Sequence, residues 1–179
     1  VGQELERIKA LQDEFLHGIP NAHLYDGRRS IYDIARESFG GGIMLIEHFR
    51  CVPEIIQFSN QLCYQNRMRP LRDSSQVVIK PHVIPYRVNG VSRNRRNEVE
   101  AETIASLVIA MTRHPAYRDK TIGVISMVGD EQARLVEQLL RRFLRAQQFI
   151  DHRILCGNPA QFQGDERHVV LLSLVDSPE

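Results

Sequence analysis

An α/β fold built on a parallel sheet, with helices on both faces, is what this sequence predicts. Two observations carry that expectation. Short apolar runs of strand length alternate with longer segments whose apolar residues recur every three or four positions. The runs are also continuously apolar, as in strands buried on both sides of a parallel sheet.

Taken in order, Leu5, Ile8, Leu11, Phe15 and Leu16 predict a helix over residues 3–17, stopped by Pro20 and Asn21. Ser30 is placed to cap a second helix, Ile31 to Phe39, which Gly40-Gly41-Gly42 ends. Residues 43–46 read as a short buried strand, and Pro53 opens a helix carrying Ile55, Ile56, Phe58 and Leu62. Residues 76–87 alternate like a strand, but Pro81 and Pro85 make it an edge or irregular one. Asn89 to Asn97 is a polar loop with Arg93, Arg95 and Arg96, for which a solvated surface is the simpler reading. A helix follows from Glu98 to Arg113, with Ala101, Ile104, Ala105, Val108 and Ile109 on one face. A strand over 121–128, a helix from about Asp130 to Gln147, and strands over 154–156 and 169–175 complete the order.

Composition is that of an ordinary globular chain of 179 residues, 42% hydrophobic and 25% charged, long enough to bury a core without a metal or disulfide staple. The net charge of +1 selects no partner. Cys51, Cys63 and Cys156 are widely spaced, with no C-x-x-C pair, so neither a zinc site nor a disulfide framework is expected. That usage fits a reducing, cytoplasmic compartment. No apolar run approaches the ~20 residues of a membrane span. The chain opens on Val1 and closes just after an apolar run, so both ends are expected to be cuts from a longer parent.

In an open parallel sheet ligands bind beyond the carboxyl ends of the strands. The loops after Ile46, Val128 and Cys156 fall there and are densely polar. Residues 47–60, Glu-His-Phe-Arg-Cys-Val-Pro-Glu-Ile-Ile-Gln-Phe-Ser-Asn, with Tyr64 and Pro70-Leu71-Arg72, resemble motif IV of superfamily 1 helicases. Residues 162–175, Phe-Gln-Gly-Asp-Glu-Arg-His-Val-Val-Leu-Leu-Ser-Leu-Val, resemble motif V of the branch that translocates 5′ to 3′. Between them, Asn97-Glu98-Val99-Glu100-Ala101 and Ile122-Gly123-Val124-Ile125-Ser126 with Gln132 resemble that branch's helix opening and strand-to-helix turn. Two positions depart from its pattern: His168 stands where aspartate is usual, and Asn158 where threonine or serine is frequent.

The resemblance implies a RecA-like P-loop NTPase fold, as the C-terminal motor domain lacking the Walker A half. It makes residues 1–40 a helical lead-in from the first motor domain and residues 41–179 the second RecA-like domain, truncated before motif VI. It implies that Arg50 is an arginine finger on the γ-phosphate of ATP, and that Gln163, Gly164 and Glu166 touch ATP. Ser126, Gln132 and Asn158 would contact the backbone of single-stranded DNA or RNA. ATP and Mg2+ would act in the intact parent, with the N-terminal RecA-like domain of the same parent as the other half of the cleft. No G-x-x-x-x-G-K-[ST] and no Walker B carboxylate pair occur, so this chain alone is expected to be inactive and to hold neither ATP nor a metal tightly.

The residues also admit plainer readings. Arg50 can pair with Glu47 or Glu54 in a charged turn. Gly164-Asp165 can be an ordinary turn, and Asp130 can cap its helix with Ser126 a mere strand terminus. A non-catalytic RecA-like binding or regulatory domain is the competing assignment, and a flavodoxin-like cofactor binder a third.

Overall fold

A computed structural model describes residues 5–20 and 22–177. Residues 3 and 4 of the first expected helix, and Asn21 beyond it, lie outside the described residues. Contacts divide the chain into two compact units, Val1–Gln76 and Val77–Glu179. The expected division after residue 40 falls inside the first unit.

In the first unit, α1 (Leu5–Phe15) and α2 (Ile31–Phe39) form where their periodicity places them. Ser30 caps α2 through a reciprocal box: its hydroxyl accepts the Asp33 N–H while Asp33 accepts the Ser30 N–H. That exchange, with the Ser30 hydroxyl bond first, holds the Asp33 carboxyl below the usual carboxylate range. Gly40 ends α2 in the left-handed conformation at φ +78°. The next expectation changes. Residues 43–46 form no strand, and Ile43 is 96% exposed. Pairing starts only at β1 (Glu47–His48), whose one partner is the equally short parallel β2 (Arg69–Pro70). An apolar run needs neighbours on both sides to be a buried strand, and here a single two-residue partner is present. Between them, α3 (Pro53–Tyr64) starts with proline at its first turn, where its missing N–H costs nothing. Val52, just ahead of it, is the unit's buried apolar side chain among the described residues.

The second unit holds the core. Residues 76–87 carry no strand. A hairpin of β3 (Ser92–Arg93) and β4 (Arg96–Asn97) leads into α4 (Glu98–Arg113), capped by the Asn97 side chain. Then come β5 (Ile122–Ser126), α5 (Glu131–Phe143), α6 (Ala146–Asp151), β6 (Leu155–Gly157) and β7 (Val169–Ser173). The helix expected over 130–147 breaks at Leu144, which takes an extended backbone and is buried. The β5 strand is central and parallel to both neighbours, pairing Val124 with Cys156 on one side and with Leu171 on the other.

Ile122 and Val124 face α4 and α5, packing with Ala101, Ala105, Val108, Val136 and Leu140. Burying such aliphatic side chains contributes roughly 1.5–3 kcal/mol each. The opposite face differs from expectation. Phe162 and Arg167 close over Gly123, whose added Cβ would lie 2.7 Å from the Phe162 ring. Val170, Leu172 and Leu174 on that face are exposed. Within the second unit, among the described residues, α4 and α5 cover one face of the sheet, and the single 3-10 turn Pro159–Phe162 meets the other. Continuous apolar strands signal burial on both sides only when the sheet's second layer is supplied.

Candidate functional site

The expected site residues fall in three places. Arg50 lies in the first unit, on the exposed turn from β1 to α3. That turn is braced from within: His48 Nε2 accepts the Cys51 N–H at 2.9 Å, and Leu71 N–H donates to the His48 carbonyl at 2.8 Å. The Arg72 guanidinium donates to the Arg50 carbonyl and so fixes the backbone of the turn. His48 thus serves as a hydrogen-bond acceptor within the turn.

Ser126, Gln132 and Asn158 come together at the carboxyl edge of the second unit's sheet. Ser126 ends β5, fully buried, and its hydroxyl has no hydrogen-bond partner. Asn158 follows β6. Its side chain accepts the Gln161 N–H, and its amide donates to Asp130 at 2.6 Å. Asp130 precedes α5 without capping it; its carboxylate turns to Asn158 and, at 3.8 Å, to Arg134. The first turn of α5 therefore begins at this edge with its N–H groups lacking a side-chain cap from Asp130.

Gln132 is fully buried, and its amide is committed on both sides. Oε1 accepts the Asn97 N–H at 2.9 Å, and Nε2 donates to the Asn97 carbonyl at 3.0 Å. It clamps the start of α4 to α5. Asn97 in turn accepts the Glu100 N–H at 3.1 Å. Glu100 then crosses to the sheet: its carboxylate accepts from the Ser173 hydroxyl and from the N–H groups of Leu174 and Val175, at 3.0–3.1 Å. Val175 is buried with φ +62°, a conformation β-branched residues rarely adopt, and the Glu100 bond helps to hold it. Sequence reasoning placed Asn97 and Glu100 in a motif without finding this network. An Asn-x-x-Glu spacing was the available signal, but it points to a local box.

Gln163, Gly164 and Glu166 lie exposed on the segment that runs from the carboxyl edge back to the amino edge, where Val169 N–H meets the Thr121 carbonyl. The structure therefore separates them from Ser126 and Asn158. Gly164 has φ +81° and open space around it, a backbone another molecule can approach. Arg167, to which the sequence assigned no role, organises this segment. Its buried guanidinium pairs with Asp165 and donates to the Arg153 and Glu166 carbonyls. The Arg167 bond, followed by the Glu166 N–H, holds the Asp165 carboxyl below the usual range. His168 Nδ1 accepts the Thr121 N–H at 3.1 Å.

A family model described as an AAA domain matches residues 29–179. The chain belongs to the AAA domain family. No curated protein matches it. In this AAA domain the glycine run that opens at Gly40 terminates α2. Among the described residues no group of three or more His, Cys, Asp or Glu could hold a metal ion. No helix among the described residues is long and apolar enough to cross a membrane. Cys156, in the β6 strand, is a half-buried thiol whose pKa desolvation, then Glu137, pushes up to about 12, so it stays neutral.

Proposed function

We propose that this AAA domain is the second RecA-like motor domain, residues 41–179, of an ATP-dependent superfamily 1 helicase or translocase of the 5′-to-3′ branch. In that role it supplies one side of an ATP cleft and part of a single-stranded nucleic-acid track. The N-terminal RecA-like domain of the parent holds the phosphates and Mg2+. The observation that carries this reading is the carboxyl edge of the parallel sheet. Ser126 from β5, Asn158 after β6 and the first turn of α5 meet there, in the order the helicase motifs have in the sequence. The helix-start N–H groups of α5, which Asp130 leaves without a side-chain cap, are donors that grip a phosphate backbone without reading bases, while Ser126 lies buried at the end of β5 and Asn158 turns Asp130 aside. Gln132 acts in it by position, fixing α4 against α5.

Arg50 serves as the finger. A guanidinium delivered from a second domain meets charge developing on the γ-phosphate and leaves adenine binding alone. In the full-length protein Arg50→Ala should lower nucleic-acid-stimulated ATP hydrolysis by ~10³-fold or more. Nucleotide affinity and thermal melting should change little. Arg50→Lys should restore little, since an ammonium cannot reproduce the planar fork. Near-normal turnover in the alanine variant would remove Arg50 from the chemistry. A full-length protein that binds single strands yet shows no ATPase at all would favour the non-catalytic binding domain instead.

A further inference from the structure

We infer that the β3–β4 hairpin grips the phosphate backbone of a nucleic-acid strand, chiefly through Arg93 and Arg96 with Arg95 at its tip; this rests on reading the carboxyl edge as the nucleic-acid side.

The hairpin turns in two residues, Asn94 and Arg95, at φ +51° and +60°. Positive φ at both central positions is the tight turn whose twist matches paired strands, and Asn-Gly rather than Asn-Arg is its usual filling. Arg93 stands directly across from Arg96, and Ser92 across from Asn97. Opposed residues share a face, so the two arginines project together from the face opposite the buried Asn97 side chain. Like charges directly opposed destabilise a strand pair. All three arginines are exposed, and no ion pair joins any of them to a carboxylate among the described residues.

The base of this ribbon is fixed. Gln132 holds the backbone of Asn97 on both sides, and the Ser92 N–H donates to Ser177 Oγ at 3.0 Å. The guanidiniums are therefore presented on a tethered frame rather than on a loose loop. Its tip reaches the same edge as Ser126 and Asn158: Arg95 Nη1 lies 3.7 Å from the position a Cβ on Gly129 would take, in the turn from β5 to α5. Glu131 Oε2 lies 2.7 Å from that position and offsets part of the Arg95 charge. Arg93 and Arg96 consequently carry most of the attraction. Paired forks are suited to phosphate oxygens, which they bind bidentately.

The test is fluorescence anisotropy of a labelled 20-nucleotide oligothymidylate with the 179-residue chain, titrated at several salt concentrations. Removing one arginine–phosphate pairing should lower the slope of log affinity against log salt by about 0.7. The Arg93→Gln/Arg96→Gln pair should lose about 1.4 of slope and on the order of tenfold in affinity at low salt. Arg95→Asn should lose less. The Arg93→Lys/Arg96→Lys pair should keep the slope, because the charge count is unchanged; it also guards against a fold defect in the glutamine pair, checked by melting. Normal binding and slope in a folded glutamine pair, with a wild type that does bind, would overturn the hairpin's role and leave the proposed function standing. A wild type that fails to bind the oligonucleotide, or that prefers labelled polyglutamate at equal salt, overturns both.

Discussion

Gln132 shows how one side chain can be found for one reason and matter for another. The turn motif singled it out as a polar group at a strand end, but the structure spends its whole amide on the Asn97 backbone in a buried setting. Gln132→Leu keeps the volume and leaves an N–H and a C=O without partners away from water. Such orphaned groups cost about 1–3 kcal/mol each, so the variant should lose roughly 2–6 kcal/mol in chemical denaturation. A loss below ~0.5 kcal/mol would mean that Asn97 finds other partners. Arg50 and the loop carrying Gln163, Gly164 and Glu166 were visible because the residues around them form recognisable strings. Arg167 was not, because the Arg153 carbonyl it holds lies 14 residues back across a chain reversal that no local spacing encodes.

At the scale of elements, helices with a cap and a periodic face were the most legible. The start of α4 follows from Asn97 and its length from the apolar face, as Ser30 and Gly40 bound α2. The 43–46 segment reads as a strand without being one because composition cannot report whether a neighbouring strand exists. Glu100 escaped for a related reason. An N-cap Asn with Glu three residues on reads as a box, but the Asn97 N–H is already taken by Gln132, which frees the Glu100 carboxylate to reach β7. Glu100→Gln would set an amide NH2 against donors that now meet oxygen. Hydrogen bonds to a charged acceptor are worth about 1.5–3 kcal/mol, and a drop of about 2 kcal/mol is expected. The melting midpoint of this variant should fall clearly below wild type; an unchanged midpoint would show that the end of β7 needs no tether.

For the whole molecule, the division of burial between the units is the main outcome that the sequence did not disclose. Periodicity marked apolar faces along the entire chain. The second unit encloses its faces between α4, α5 and β5, while Ile31, Phe39, Phe58 and Leu62 of the first stay largely exposed. Amide exchange should follow that division, because protection grows with the buried packing that opening must break. Peptides from α4, β5 and α5 should exchange slowest, and those from α1, α2 and α3 far sooner, in a mass-resolved deuterium time course. Equal protection of α3 and α4 would contradict that division. The candidate site follows the same pattern: its carboxyl-edge half was legible from strand ends, while the network beneath it depends on pairings 35 to 75 residues apart.

The Asn97 clamp also has a mechanical meaning. Asn97 is at once the last residue of the arginine hairpin, the cap of α4 and the grip of Gln132, and Glu100 one turn on holds the end of β7. A pull on the hairpin tip would meet stiff joints instead of a hinge. Force would pass through the helix start into the sheet, so that the ribbon and the strand ends move as one lever arm.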